Sequence, residues 1–402
     1  MNILIKKSIV EEISDSQIKI GVSVIDSGVS KELWYTLDSK YKDFLTVDVA
    51  DGFVVAFLLY AMERNLDIIS EMPMSTKLYI SLTKSLIPFL YKSSKKLHSI
   101  KIKAPLTANL YGSKRVGTGI SCGVDSLSTI IYHGLNEEVD TYKIDTLTLL
   151  NAGFYGNEGD TSEHYKTYLD QSRSFSSEFN YDFLSMDSNF SSLIKFSDLC
   201  ALSSYFVSSM ILLLQKYFKI YFLASGFPAQ EFEPNIEHCA RYDVFLLNCL
   251  STESLTFYAG CSTFSRVEKV DLISTNNAVL KNLYVCLSGN SSHNCSKCEK
   301  CVRTIVELDS IGCQNGIKAA FDYDYFNKNR YQYLNYMLRH KKRNTFYQES
   351  YNSYKEHNIQ IPLLAYIYII PFKFEIVNFF STLRHSVFGP FLTKVYNLLY
   401  KR

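Results

Sequence analysis

The chain has 402 residues, a formal net charge of +2 and 47% hydrophobic residues. This length is long for one domain and buries a substantial core, so we expect two or three structural units with room for an enzyme. The opening MNILIKKSIVEEIS has no long apolar core, and no later stretch offers about 18 uninterrupted apolar residues. We therefore expect neither a signal peptide nor a spanning helix, and a cytoplasmic location.

The charge distribution and the cysteine content further limit the functions that are possible for this chain. Residues 318–402 hold 13 Lys and Arg against 5 Asp and Glu, so the C-terminal region is basic while the rest is mildly acidic. A basic tail can face nucleic acid, an anionic membrane surface or solvent. The ten cysteines are unlike a disulfide framework, because cytosolic thiols are kept reduced. Their spacing is therefore examined for metal binding or catalysis.

The first predicted segment covers residues 1–110. Alternating patterns predict strands at QIKIGVSVID and KELWYTLD, and helical patterns follow at DGFVVAFLLYAMERN and STKLYISLTKSLIPFLYKSS. We predict an α+β segment here, and it contains no chemical motif.

A second pattern of predicted strands and helices begins near residue 111. Strands are predicted at RVGTGIS, IDTLTLLNAGF, YDFLSMD and IYFLASGF, with helices at LSTIIYHGL, near residues 160–179, and across LCALSSYFVSSMILLLQKYF. Alternation of strand and helix on this scale predicts βαβ units and a parallel sheet, whose ligands bind at the carboxyl ends of the strands.

The stretch GTGISCGVDSL, residues 117–127, lies at such an end. It lacks the lysine of a Walker P-loop and the third glycine of the dinucleotide fingerprint. The remaining pattern, Ser121-x-Gly123-x-Asp125-Ser126, resembles the PP-loop, S-G-G-x-D-S, of the ATP pyrophosphatase family. The predicted nucleotide-binding residues are Ser121, Cys122, Gly123, Val124, Asp125 and Ser126.

The chemistry of the turn suits a pyrophosphate. Backbone N–H groups at a helix start bind anions, Ser121 and Ser126 add hydroxyl donors, and Gly123 permits close approach. Phosphate alone would repel Asp125, so its presence indicates a bridging Mg²⁺ and a catalytic role. The alternative is that the Ser and Asp side chains only cap the helix. Cys122 stands where the family has glycine, as a tolerated small residue or as a nucleophile.

Four cysteines follow with metal-ligand spacing. Cys286, Cys295, Cys298 and Cys301 form a C-x8-C-x2-C-x2-C pattern. Four thiolates close around one tetrahedral Zn²⁺ and leave no position for substrate, so we predict a structural zinc site, with an iron–sulfur cluster as the alternative. His293 and Cys313 lie near enough in sequence to act as substitute ligands, but the set of four cysteines is the simpler prediction. The remaining cysteines, Cys200, Cys239, Cys249 and Cys261, are predicted to be buried core residues.

A PP-loop followed by this cysteine spacing resembles the 7-cyano-7-deazaguanine synthase group, over residues 111–316. The resemblance implies an α/β fold with a parallel-sheet, nucleotide alpha-hydrolase-like, Rossmann-like domain and a zinc-binding subdomain. It also implies an ATP-dependent, ligase-like reaction that adenylates a carboxylate or carbonyl substrate with release of pyrophosphate. Attack of ammonia then forms an amide or nitrile. Arg266 and Lys269 match an R-x-x-K segment and are predicted catalytic contacts to an anionic substrate; the alternative is that they cover a helix surface.

Two other functions stay open at this point. One is nucleic-acid modification of the thiolation type, favoured by the basic aromatic tail. The other is a non-catalytic nucleotide-binding protein whose tail docks a partner or membrane. Residues 317–402 are predicted as a mainly helical extension, with a buried segment at 361–372 and, at 384–402, a packed helix or an interfacial one. The nitrogen donor is free ammonia or a separate protein, and a homo-oligomer stays open.

Overall fold

The computed structural model describes residues 2–153, 163–194, 199–234, 237–286, 293–368 and 370–376. The chain divides into two compact units, Met1–Ser265 and Arg266–Arg402. Among the described residues, no helix combines the length and apolar character needed to cross a bilayer. The segment 384–402, for which a terminal helix is predicted, lies outside the described residues.

All the described strands belong to the first unit. They are β1 Asn2–Ser14, β2 Gln17–Asp26, β3 Val29–Asp38, β4 Asp67–Ser70, β5 Met74–Ser75, β6 Ile102–Lys103, β7 Leu106–Thr107, β8 Arg115–Gly119, β9 Thr146–Asn151, β10 Asp182–Ser188, β11 Phe218–Ala224 and β12 Thr256–Gly260.

The helices of the first unit separate these strands. They are α1 Asp51–Arg64, α2 Thr76–Ser81, α3 Ile87–Ser93, α4 Val124–Ile130, α5 Glu163–Glu178, α6 Phe190–Leu193, α7 Ser203–Leu212 and α8 Asp243–Leu250. A π-helical stretch, Leu82–Leu86, joins α2 to α3, and a second one, Ile131–Leu135, continues α4. Short 3-10 turns lie at Ser39–Phe44, Leu199–Ala201, Ala229–Glu231 and Cys239–Tyr242.

Ten strands form one sheet in the order β12-β11-β8-β9-β10-β3-β2-β1-β4-β6, and β5 pairs separately with β7. Neighbours from β12 to β10 are parallel, as are β1, β4 and β6, whereas β10, β3, β2 and β1 pair antiparallel. The predicted α/β class with a large, mostly parallel sheet is therefore confirmed.

An antiparallel joint fuses the N-terminal strands to the parallel ones. Leu37 of β3 lies opposite Met186 of β10. Just beyond β10, the amide side chain of Asn189 accepts from Trp34 N and donates to Glu32 O, both at 2.8 Å. No break in the sheet lies at the predicted boundary near residue 110, because β3 continues the ladder of β10.

The sheet and its helices enclose an extensive apolar core. Along β2, alternate side chains Ile18, Ile20, Val22 and Val24 are at most 1% exposed, as the period of a half-buried strand requires. Helix α1 buries nearly every residue and packs against α7. A helix that is apolar all round belongs in such an interior.

The second unit is helical in its described part. Its helices are α9 Arg266–Ser274, α10 Asn277–Leu280, α11 Glu299–Ser310, α12 Gln314–Ala320, α13 Tyr323–His340, α14 Thr345–Glu356 and α15 Leu363–Ile367. Helices α9, α12, α13 and α14 all contact α11. Helices on the two sides of the predicted boundary near residue 316 therefore pack together, with α11 at the centre.

A buried carboxylate fixes this arrangement. Asp309 of α11 is 1% exposed and accepts from the Arg330 guanidinium at 2.9 and 3.1 Å. The Tyr354 hydroxyl donates to it at 2.5 Å and Gln314 Nε2 at 2.8 Å. A buried charge is tolerated only with such partners. The partners on α13 and α14 therefore hold both helices against α11.

The prediction that residues 361–372 form a buried segment is wrong for most of the run. Ala365 and Phe372 are buried, but Leu363 is 85% exposed and Ile367 is 71% exposed. The reason is that α15 is short and packs on α13 through one face only. Leu364, Tyr366 and Ile370 are exposed as well.

His133 links α4 to the sheet and makes stability depend on pH. Its ring stacks on Phe222 of β11, with centroids 4.0 Å apart and planes at 18°. Burial lowers the pKa of His133 to about 4, and Glu137 opposes this shift weakly. The unfolded chain takes up the proton near pH 6.5, earlier than the folded chain does. The contribution of neutral His133 to the free energy of unfolding is therefore complete above that pH, and it is lost as the pH falls toward 4.

We expect His133→Phe to keep the stacking and remove this proton linkage. Between pH 7 and pH 4 the variant should lose about 1–2 kcal/mol less free energy of unfolding than the natural chain, after allowance for partial exposure. Urea unfolding across this range measures the difference, with the exposed His98→Phe as control. Parallel curves for the natural chain and His133→Phe would contradict the assignment.

Candidate functional site

The turn between β8 and α4 forms the first part of the site. Cys122 has a left-handed backbone with φ +54°, and Gly123 caps α4 with φ −80°. The Ser126 hydroxyl donates to Gly123 O at 3.1 Å and accepts weakly from Ser121 N at 3.4 Å. These contacts fold the turn back on itself. They bring the predicted residues Ser121 to Ser126 together in one short loop.

The turn opens into a cleft of about 330 Å³. Ser121, Asp125 and Ser126 line the cleft on one side. From β8 the chain moves outward to β9 and β10, then returns to the other side of β8 with β11 and β12. A reversal of this kind leaves a crevice at the carboxyl ends of the two central strands, which is where α/β sheets bind ligands.

The start of α7 also lines the cleft. Ser203 and Ser204 line the cleft there. The Ser204 hydroxyl donates to Asp243 Oδ1 at 2.7 Å, and Ser203 Oγ lies 3.2 Å from Cys239 Sγ. These residues are absent from the sequence predictions. The serine pair ahead of an apolar helical run is a helix-start signal that would have drawn attention to them.

Strands β9 and β11 form the floor of the cleft. Thr148 Oγ1 and the Tyr221 hydroxyl are 2.6 Å apart and both line it. Burial raises the pKa of the Tyr221 phenol well above its usual range, so it stays protonated at neutral pH. The same floor requires a glycine in β8, because a Cβ on Gly117 would lie 2.4 Å from the Phe218 ring. Leu150 and Leu223 add apolar surface.

Cys122 is a structural residue of the turn. Its side chain is 1% exposed, and burial raises the pKa of its thiol to about 12. A thiol nucleophile requires the thiolate form, which such a pKa suppresses. The geometry therefore favours the interpretation of Cys122 as a small residue in place of glycine.

The four predicted cysteines come together in the second unit. The sulfur atoms of Cys286, Cys295, Cys298 and Cys301 all lie within 4.8 Å of one another. A tetrahedral ion with metal–sulfur bonds of about 2.3 Å needs sulfur–sulfur distances of about 3.8 Å, so a small adjustment closes the site. The set is able to hold a metal ion such as zinc. It contains neither of the substitute ligands, His293 and Cys313.

The backbone around Cys295 is shaped for a thiolate. The N–H groups of Lys297 and Cys298 point to its sulfur at 3.4 and 3.3 Å, and Ser296 between them has φ +60°. Such N–H donors stabilise a negatively charged sulfur. The Tyr333 hydroxyl of α13 donates to Ser296 O and ties the loop to the helices.

Asn294 holds the other end of the same loop. Its side-chain amide accepts from Val285 N at 2.8 Å and donates to Leu283 O at 2.8 Å and Ala320 O at 2.9 Å. The chain segments before and after the loop are thereby joined. Spacing of the cysteines alone gives no signal for Asn294, Ser296 or Tyr333, because their contacts are formed by the fold.

The four remaining cysteines differ in their exposure to solvent. Cys239, Cys249 and Cys261 are buried, as predicted, but Cys200 is exposed. The prediction for Cys200 is wrong because this residue lies in the short turn ahead of α7 and not in the apolar part of the helix.

Arg266 and Lys269 lie on α9 in the second unit, whereas the turn at residues 121–126 belongs to the first. They are 5% and 1% exposed, so neither covers an open helix surface. Arg266 Nε lies 3.3 Å from Glu307 Oε2, and Arg266 N donates to Glu349 Oε2 at 2.8 Å. A carboxylate of the unit thus already balances the guanidinium. Their catalytic role stays a prediction.

Comparison with known proteins adds no relative. No family model, no curated protein and no solved structure matches this chain. The functional argument therefore depends on the residues and on the geometry described above.

We expect metal binding to require the four-cysteine set. Cys295→Ser should reduce the metal content from about one ion per chain to a small fraction, because a structural site loses a ligand and two N–H···S contacts. Elemental analysis of the purified protein measures this, with the half-buried Cys313→Ser as the matched control. Equal metal content in the two variants would place the ion elsewhere. A brown, iron-containing preparation would replace zinc by a cluster.

The left-handed backbone at Cys122 gives a second expectation. Cys122→Gly should change the free energy of unfolding by less than about 1 kcal/mol, because relief of strain offsets the lost side chain. Cys122→Val should cost at least about 2 kcal/mol, because a β-branched residue is poorly tolerated at this φ. Urea unfolding compares the two. If Gly and Val are equally tolerated, the turn is not constrained as described.

Proposed function

We propose that the chain is an ATP-dependent enzyme of the PP-loop type that adenylates a carboxylate or carbonyl substrate and releases pyrophosphate. The observation that carries this proposal is the position of the turn at residues 121–126. It opens into the cleft at the reversal point of the sheet, and Ser121, Asp125 and Ser126 face that cleft. A motif that occurs by chance has no reason to lie at this point.

Each residue of the turn has a role in this proposal. Ser121 and Ser126 offer hydroxyl donors to phosphate oxygens, and Gly123 leaves room because only the Ser121 hydroxyl lies near the position of a Cβ. Asp125, in the first turn of α4, is the ligand for the Mg²⁺ that accompanies ATP. Cys122 and Val124 are buried, so they contribute through their backbone.

The acceptor is proposed to be a small carboxylate that ammonia, free or from a separate donor, converts to an amide or nitrile. Adenylation gives the acyl carbon a good leaving group, and AMP departs when nitrogen attacks and the amide forms. A nitrile requires a second ATP, which adenylates the amide oxygen so that this oxygen leaves with AMP. The cleft provides polar groups from the turn and from Ser203 and Ser204, together with apolar surface from Leu150, Val207 and Leu223. Such a combination orients a substrate with a ring and an anionic group.

The four-cysteine set is proposed to bind structural Zn²⁺. An all-cysteine tetrahedral site is closed, so it supplies folding energy and no open position for chemistry. The asparagine and serine contacts around it join the loop to α12 and α13, which suits a structural ion.

The alternatives require features that fit less well. Nucleic-acid thiolation needs a reactive cysteine, and the Cys122 thiol in the turn is buried with a raised pKa. A non-catalytic nucleotide-binding protein would bind ATP and leave it intact. Product analysis separates that reading from the proposed enzyme.

We expect incubation with ATP, Mg²⁺, ammonium and a panel of carboxylates to yield AMP and pyrophosphate. Asp125→Ala should lower this turnover by about a hundredfold or more, because the Mg²⁺ that accompanies ATP would lose its carboxylate ligand. The exposed Asp140→Ala is the matched control and should retain turnover. Release of ADP and phosphate, or full activity of Asp125→Ala, would refute the proposal. Binding of ATP without any product would favour the non-catalytic alternative.

A further inference from the structure

An apolar face on the second unit has no role in the proposed reaction. Within eight residues, five large apolar side chains are exposed, which are Leu363 at 85%, Leu364 at 54%, Tyr366 at 52%, Ile367 at 71% and Ile370 at 59%. Single exposed apolar residues are ordinary, but a contiguous group marks an interaction surface. We call these five residues the apolar face.

The face is held in place by contacts behind it. Ala365 is fully buried, and its carbonyl accepts from Asn335 Nδ2 of α13 at 2.9 Å. Phe372 is 2% exposed, and its ring packs edge-on against Tyr333 with centroids 5.1 Å apart. The segment is therefore anchored at both ends. Its outward side chains are a property of this packing.

Two lysines lie near one residue of the apolar face, Tyr366, through the ring of Tyr351. Tyr351 of α14 has Lys341 Nζ 3.1 Å and Lys355 Nζ 4.4 Å from its ring centroid. Partial burial and a hydrogen bond with the Tyr351 phenol raise the pKa of Tyr366. Lys342 and Arg343 follow Lys341 in sequence, Lys373 follows the apolar run, and all three are exposed. We call Lys341, Lys342, Arg343, Lys355 and Lys373 together the basic rim.

The acidic groups nearby do not cancel this charge. Glu375 is paired with Arg339, with Nη2 and Oε1 2.7 Å apart. Glu356 follows Lys355 in sequence and is exposed. Five basic side chains against one unpaired neighbour on α14 leave the rim positive, so its partner carries negative charge.

We propose that the apolar face and the basic rim dock the protein on an anionic phospholipid bilayer. The aliphatic side chains enter the acyl boundary, Tyr366 lies at the headgroup level, and the rim contacts lipid phosphates. The inference is independent of the proposed ATP chemistry. It reassigns a segment that sequence alone predicts to be buried.

Two other occupants fit the surface less well. Nucleic acid would satisfy the rim but leave the five apolar side chains in water or against phosphates. A second copy of the chain on a two-fold axis would bring the same positive rim against itself. An anionic bilayer is complementary to both parts at once.

The test uses the full chain and vesicles of phosphatidylcholine, alone or with about one third phosphatidylglycerol. In co-sedimentation we expect binding to anionic vesicles to be at least about tenfold stronger than to neutral ones, and to weaken with salt. Leu363→Ser with Ile367→Ser should reduce binding at least about tenfold. The control pair, Ile9→Ser with Leu110→Ser, removes side chains that are 62% and 77% exposed elsewhere, and should bind normally.

Several results would overturn the proposal. Absence of vesicle binding by the natural chain would do so, as would equal binding by the Leu363/Ile367 pair when urea unfolding shows that the pair is folded. Binding to a tRNA mixture that is lost in Lys342→Gln with Arg343→Gln, but kept in the Leu363/Ile367 pair, would assign the rim to nucleic acid. A dimer in sedimentation equilibrium that the Leu363/Ile367 pair abolishes would make the face an interface between copies.

Discussion

The candidate site depends on the pairing of β8 with β9 on one side and with β11 on the other. This pairing reverses the direction in which the sheet grows, and the reversal opens the cleft at the end of β8. Close packing of the strands is possible because Gly117 has no side chain where the Phe218 ring lies. A local steric requirement in a strand thus positions the turn that carries Ser121 and Asp125.

Sequence reasoning succeeds where the signal is local. The alternation in β2 and the apolar pattern of α1 predict both elements with nearly their observed ends. Cysteine spacing predicts the metal-ligand set because chelation needs those four sulfur atoms close together. The joint between β3 and β10, the position of Ser203 and Ser204 in the cleft, and the burial of Arg266 depend on contacts between distant residues. Periodicity carries no information on them.

Short apolar runs mark a second limit. The run at residues 361–372 has the composition of a core segment, yet most of it faces solvent. Composition gives hydrophobicity but not the number of neighbours that the fold provides. Charge counting has a related weakness: Arg330 contributes to the basic tail in sequence, while in the structure it neutralises Asp309 inside the unit. The surface charge is better judged from the exposed rim than from the sum.

The Asp309 contacts also determine where this chain can be truncated. Two of its partners, Arg330 and Tyr354, lie beyond residue 317, in the helices that follow the cysteine loop. A chain that ended at residue 317 would leave the Asp309 carboxylate buried without these two partners, at a cost of several kcal/mol. The cysteine loop and the helices after it therefore depend on each other for stability, and a truncation or a domain transfer has to keep them together.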